Sequence, residues 1–261
     1  MPARLDHLVV VVRSLSETVP EFVATGFTVL PGGRHLELQT ENALVVFADG
    51  GYLELLATCE PATRDELRAL RASARWDAHL RGVSAVARRF LPLLAGDDGV
   101  ADWVLRSEGL ARDAAALRAR GLVAAGPVAM GRERPDGEKL AWELLLPGSF
   151  LHPFRIADRT PRARRVPAES GGVTHANGAT GVSEVVVRAV VPPMAALELA
   201  DQLGTVPRVG DDGATRLDLG DWSVRLEQGA REGACGARIR GVRTLPPALL
   251  ALGLADRKSV V

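Results

Sequence analysis

Two side chains stand out against their surroundings. His7 interrupts the apolar run LDHLVVVV (5–12), and Glu54 interrupts YLELLAT (52–58). Short apolar runs rich in valine and leucine are what buried strands look like. Side chains alternate faces along a strand, so His7 shares a face with Val9 and Val11, and Glu54 with Tyr52 and Leu56. An imidazole and a carboxylate on apolar faces are costly unless they are paired or metal-bound. The structural reading is that the two bond each other or fix a loop. The chemical reading is a divalent metal, since these donors suit Zn, Fe, Mn or Ni. No P-loop, GxSxG elbow or HExxH motif occurs. The glycine-rich stretch GGVTHANGATG (171–181) opens a strand rather than a helix, so it is a weak phosphate cradle.

The elements that must position these residues repeat along the chain. After the first strand, Ser14 or Ser16 can cap a helix that carries Val19, Phe22 and Val23 and ends at Gly26. FTVL (27–30) begins the next strand and PGG (31–33) reads as a turn. NALVVFAD (42–49), Gly50-Gly51 and YLELLAT form a hairpin. The same grammar returns as GVADWVLRS (99–107), LARDAAALRARG (110–121), PVAMGRER (127–134), the turn Pro135-Asp136-Gly137, KLAWELLLP (139–147) and FLHPFRIAD (150–158). Ala24-Thr25-Gly26-Phe27 recurs as Ala119-Arg120-Gly121-Leu122, an offset of 95. A third, shorter copy has VSEVVVRAVV (182–191), a helix from Met194 to Leu203, the hairpin TRLDLGD–WSVRLEQ (215–228), one further strand at GARIRGVRT (236–244) and a terminal helix within 246–255.

Residues 60–81 read as a helical connector with a Thr63/Glu66 capping box and a solvated charged face. Residues 159–180 read as a linker whose Arg162, Arg164 and Arg165 form a solvated loop. The chain thus divides into a paired domain (1–158, modules 4–58 and 99–158), that linker, and a partial third module (181–261). The offset places Asp102 opposite His7, on a face with Val104 and Arg106. His152, with Phe150 and Phe154, falls opposite Glu54, although Pro153 can bulge that strand. Arg106 is either an exposed strand residue or a bidentate clamp for a carboxylate. In the third copy Glu184 or Val185 takes the His7 position and Glu227 the Glu54 position. His79 and His175 read as surface residues.

The opening Leu-Asp-His-Leu-Val, the stretch GFTVLPGGRH (26–35), NALVVF and GGYLELL together resemble the glyoxalase-like branch of the vicinal oxygen chelate superfamily. The resemblance implies an α+β fold of repeated βαβββ modules, two pairing into a half-open barrel cleft, here with a third module appended. It implies that the first and fourth strands of each module point one residue into the cleft to hold a divalent metal. The matching positions are His7 and Glu54 in module one, and Asp102 and His152 in module two. This sequence departs from the family by placing Asp102 where a histidine belongs. Glu54 is the catalytic candidate. Arg106, and the cleft-mouth residues His35 and Asn42, are substrate-binding candidates, while Glu41 reads as solvated. The implied activity is a metal-dependent lyase, isomerase or dioxygenase acting on a small oxygenated metabolite. The alternative is a metal-free protein that binds or sequesters a small molecule or antibiotic.

Bulk composition fits a small-molecule protein. The 32 basic and 32 acidic residues cancel, which argues against nucleic acid or anionic membrane as a partner. Aromatics make up only 4%, so the core must be mostly Val, Leu and Ala. Cys59 and Cys235 are far apart and read as reduced thiols. No signal peptide or membrane span is read, so the expected setting is the cytoplasm, with a homodimer as a possible assembly.

Overall fold

The computed structural model describes residues 3–35, 37–134, 136–167, 171–210 and 212–256. Pro135 of the expected turn, residues 168–170 of the linker and the last five residues of the third module lie outside them. Module one comprises β1 (Leu5–Val11), α1 (Leu15–Ala24), β2 (Leu30–His35), β3 (Thr40–Val46) and β4 (Tyr52–Thr58). Gly26, just past α1, takes φ +86, a left-handed conformation that glycine adopts without strain. Pro31-Gly32-Gly33 is not a turn but part of β2, bulged between Pro31 and Gly33. The reason is local crowding. A Cβ on Gly32 would sit 1.9 Å from the Asn42 side-chain oxygen, so glycine lets Asn42 lie against the strand.

The connector holds three helices, α2 (Pro61–Arg71), α3 (Trp76–Gly82) and α4 (Ala85–Leu94). The expected capping box is not used. The first helix starts at Pro61, whose fixed φ suits a first helical position, leaving Thr63 inside the first turn. Its charge is not wholly solvated either. Arg64 is fully buried, and it bonds the carbonyls of Leu94 and Gly96 past the end of α4 and pairs with Asp98 at 2.6 Å. Ser84 caps α4 by accepting from the Ala87 N–H at 3.0 Å.

Module two comprises β5 (Gly99–Arg106), α5 (Leu110–Ala119), β6 (Ala124–Glu133), β7 (Lys139–Pro147) and β8 (Phe154–Asp158). β8 begins only after Pro153, so Phe150 to His152 form a turn ahead of it. A short α6 (Arg162–Arg165) follows. The third repeat comprises β9 (Gly181–Ala189), α7 (Pro192–Leu203), β10 (Pro207–Val209), β11 (Thr215–Asp218) and β12 (Ser223–Gln228), then β13 (Gly233–Arg240), α8 (Pro247–Ala251) and β14 (Leu254–Ala255). The short β10 completes a βαβββ order in it.

Modules one and two pair, and their sheets close an eight-stranded ring, β1-β4-β3-β2-β6-β7-β8-β5. The expected half-open cleft is therefore the interior of a closed barrel, joined on one side by the single pair Arg34–Glu133 between β2 and β6. On the other side β1 runs antiparallel to β5, with His7 opposite Val104 and Val9 opposite Asp102. His7 and Asp102 are thus counterparts about a local two-fold between these strands. The second sheet, β10-β11-β12-β9-β13-β14, repeats the pattern, with β9 parallel to β12 and antiparallel to β13. Its register pairs Glu184 with Ser223 and Val186 with Arg225. In β1 and β4 the same pairs are His7–Tyr52 and Val9–Glu54. Glu184 therefore takes the His7 place, and Arg225 rather than Glu227 takes that of Glu54.

Val, Leu and Ala dominate the buried residues. Inside the barrel, α4 inserts Val86, Phe90 and Leu94 among Val9, Val11, Val104 and Phe154. Outside it, Leu8, Val10, Leu53, Leu55 and Trp103 form one continuous core with Val185, Val187 and Leu226 of the second sheet and Leu199 of α7. Each such large side chain contributes roughly 1.5–3 kcal/mol when fully buried.

Candidate functional site

The alternation of β1 and β4 turns His7, Tyr52 and Glu54 inward, as their parity required. With Asn42 (β3), His35 (β2), Arg132 (β6) and Arg165 (α6) they form the polar wall of a cavity of about 50 Å³. Phe90, Trp142, Leu144, Phe154 and Met130 are among its apolar lining. Strands of both modules line the cavity, all but β5 contributing, together with α4 and α6.

A chain of hydrogen bonds runs along the polar wall. His7 Nδ1 lies 2.9 Å from Asp6 Oδ1, and its Nε2 lies 3.4 Å from Glu54 Oε2. Asn42 donates its amide to Glu54 Oε1. The Asn42 oxygen accepts from the Gly33 N–H at 2.9 Å and from Arg132 Nη1 at 3.0 Å. Arg132 Nη2 donates to the Arg165 carbonyl at 2.9 Å. Arg165 donates to Tyr52 Oη at 2.6 Å, to Asp6 at 3.1 Å and to Asp158 at 2.5 Å. The Tyr52 ring stacks on His7 with centroids 4.5 Å apart. Asp6 can join because an extra residue in β1, between Leu5 and His7, breaks the register against β5. Such a bulge re-aims a side chain that strict alternation would send to the other face.

Electrostatics follow from these contacts. Burial alone would raise the pKa of Asp6, but Arg165 and the bond to His7 outweigh it and hold the carboxyl well below its ordinary value. Burial would lower His7, yet its bonds to Asp6 and Glu54 raise it, so the two carboxylates favour the charged form of the ring. Burial would raise Glu54, but His7 brings it down to about 2. Burial lowers His35, so that ring, bonded to Thr40 Oγ1 at 3.1 Å, is neutral.

The structure brings His7, Glu54, Asn42 and His35 together, but not the other candidates. Asp102 does not line the cavity; Arg89 of α4 grips it bidentately at 2.7 and 2.8 Å. The same guanidinium bonds the carbonyls of Pro147, Ser149 and His152. The His152 imidazole faces away from the cavity and bonds Glu198 and Gln202 of α7 at 2.9 and 3.1 Å. It ties module two to the third repeat. Its turn ahead of Pro153 is what took it off the strand face. Arg106 is neither a solvated strand residue nor in the cavity, since it reaches Asp6 at 3.3 Å.

The linker arginines also differ from their expectation. Arg165 is buried in the wall and Arg162 pairs with Asp6 at 3.0 Å, while Arg164 stays exposed. His175 is buried, accepting from the Thr28 N–H at 2.9 Å and facing the Val46 carbonyl at 3.0 Å. His79 is exposed as expected. Sequence reasoning missed Asp6, Arg132 and Arg165. A signal existed for Arg132, which shares strand parity with Met130. None existed for Arg165, whose partner Asp6 lies 159 residues away.

A family model described as glyoxalase-like domain matches residues 5–203. The chain belongs to the glyoxalase-like domain family. Its paired βαβββ modules have the fold that the resemblance to the vicinal oxygen chelate superfamily implied. No curated protein matches this glyoxalase-like chain. Among solved structures it resembles a hypothetical protein from Staphylococcus aureus, with 18% identity over 91% of this chain and 90% of that one and a TM-score of 0.70. It also resembles a mutant 4-hydroxymandelate synthase from Streptomyces coelicolor (12% identity, 91% and 71% coverage, TM-score 0.53). A third is the Mn(II)-bound glyoxalase from Novosphingobium aromaticivorans (9% identity, 97% and 69% coverage, TM-score 0.52). At these identities the likeness is one of fold. No described helix of the glyoxalase-like chain is long and apolar enough to cross a membrane.

The donor set can be set against the metal its family implies. His7 Nε2 and Glu54 provide two donors, one short of the three protein ligands of a catalytic zinc site. Among the described residues no group of three or more His, Cys, Asp or Glu side chains converges as ligands. Two guanidinium groups, Arg132 and Arg165, stand in the same wall. The residues here do not complete a metal centre by themselves.

Proposed function

We propose that this glyoxalase-like protein binds a small oxygenated organic molecule inside its barrel. His7, Glu54 and Asn42 meet the oxygen atoms of that molecule, and Phe90, Trp142 and Phe154 meet its carbon frame. One observation carries the reading: a continuous polar wall faces an otherwise apolar cavity inside the barrel, a few convergent polar groups set in an apolar lining. The test is a melting-temperature screen against small hydroxy, oxo and carboxy compounds and antibiotics. A ligand that binds only the folded chain raises the transition. The expected result is a shift in the wild type that shrinks in Asn42→Ala. Identical shifts in both proteins would place binding elsewhere.

A second reading, a metal-dependent lyase, isomerase or dioxygenase, is favoured by the Asp6–His7 bond. A carboxylate on Nδ1 is how metal-ligating histidines are commonly oriented, leaving Nε2 for the ion. In this reading His7 and Glu54 hold the metal, while His152 and Asp102 are engaged elsewhere. Elemental analysis after metal supplementation tests it. Stoichiometric metal lost in both His7→Ala and Glu54→Gln supports it, and its absence from the supplemented wild type removes that support.

A further inference from the structure

Four arginines are buried among the described residues: Arg64, Arg89, Arg132 and Arg165. Three of them have a carboxylate close by, Asp98 at 2.6 Å, Asp102 at 2.7 Å and Asp158 at 2.5 Å. Arg132 has none within ion-pair distance. Its side chain lines the cavity with the residue only 7% exposed, and its two known bonds go to neutral oxygens, the Asn42 amide and the Arg165 carbonyl. Its Nε–H is buried without any acceptor. An unpaired guanidinium out of water is costly, and a buried donor left unmade adds to the cost. The nearby carboxylate that could offset it, Glu54, is already bonded by His7 and Asn42. The other guanidinium that lines the cavity, Arg165, is already paired with Asp6 and Asp158.

We infer that Arg132 is a substrate-recognition residue whose missing partner is the carboxylate of the bound molecule, so that the ligand class is small monocarboxylic acids with an apolar aryl or branched alkyl frame. This rests on the cavity being the ligand site. The anion would pair with the Arg132 guanidinium, a charge-assisted contact of the stronger kind. The ionised Glu54 in the same wall disfavours a dianion such as a phosphate ester. The aromatic lining of Phe90, Trp142 and Phe154 takes the frame.

The test is a set of matched acid and amide pairs titrated into the full chain at pH 7 and fixed ionic strength. Benzoate, phenylacetate, isovalerate and 2-hydroxyisovalerate are each compared with the corresponding amide, using tryptophan fluorescence and the melting shift. At least one acid is expected to bind at least roughly tenfold more tightly than its amide, the ratio that one charge-assisted hydrogen bond supplies. In Arg132→Gln that ratio falls to about one, and Arg132→Lys, which keeps the charge, recovers part of it. If both variants fail to fold, the acid–amide ratio on the wild type still decides. Equal binding of acids and amides, or an acid preference that survives Arg132→Gln, overturns the carboxylate assignment while leaving the cavity as the ligand site. Binding of neutral oxygenated compounds alone in the wider screen overturns it in the same way. If nothing binds and nothing shifts the melting transition, the cavity reading falls and this assignment falls with it.

Discussion

Asp6 is the residue on which the polar wall hangs. It accepts from His7, Arg106, Arg162 and Arg165 while fully buried. Removing one partner of a buried ion pair strands the other charge, at a cost of about 3–5 kcal/mol. Arg165→Gln is therefore expected to lose stability of that order in urea unfolding. Arg132→Gln strands no carboxylate, and its loss should be the smaller of the two, about 1–3 kcal/mol for the oxygens it leaves unbonded. The two variants sit side by side in the structure, so the contrast separates a structural arginine from one kept for a ligand.

The His7–Glu54 pair also fixes a pH response. The folded pKa of His7 lies above its ordinary 6.5, so its contribution is fully present below 6.5 and is lost as pH rises through the folded value. That of Glu54 lies at about 2 against an ordinary 4.5, so its contribution is present above 4.5 and is lost as pH falls towards 2. The stability difference between wild type and His7→Asn should be largest between pH 4.5 and 6.5 and narrow on the alkaline side. Calorimetry across that range checks it, and a difference that grows above pH 6.5 would contradict the assigned proton.

At the scale of elements, α4 both walls the cavity and covers Asp102. Its Phe90 fills the interior beside Phe154 (ring centroids 5.7 Å apart), and its Arg89 neutralises Asp102. Phe90→Ala should cost about 3–5 kcal/mol, the range for large-to-small changes in cores. It should also enlarge the cavity enough to accept bulkier ligands, read as a shift in preference across a graded acid series. Much of the first module is legible from its residues. Strand parity puts His7 and Glu54 on the inner face, and Gly26 marks where α1 ends. The helix α4 is not legible in its role, because an apolar stripe announces burial without saying which cavity receives it. Nor is the bulge at Asp6. It adds one residue to a strand whose alternation looks unbroken in VVVV, and only pairing with β5 reveals it. His152 escapes a strand reading because one proline moves the start of β8 by a few residues. In a period-2 element such a shift is enough to change what a side chain faces.

At the scale of the molecule, the repeats are not independent folding units. The outer face of the barrel and the second sheet share one core, with Trp103 and Trp222 meeting edge to face at 6.3 Å. Cutting the chain after residue 180 would expose Leu8, Val10, Leu53, Leu55 and Trp103 together. A contiguous apolar surface of that kind favours aggregation. Residues 1–180 alone are expected to be insoluble or to lack a cooperative transition, while the full chain melts in one step by both fluorescence and calorimetry. Two separated transitions would argue for a boundary at the linker instead. The local two-fold between β1 and β5 has a further consequence for counting. A barrel made of two like halves could have offered two equivalent berths. Here the counterpart of the His7 position, Asp102, is already answered by Arg89 of the chain's own helix. Saturation should accordingly come at one ligand per chain, with a simple hyperbolic isotherm. Any cooperativity would then have to arise between molecules and not within one.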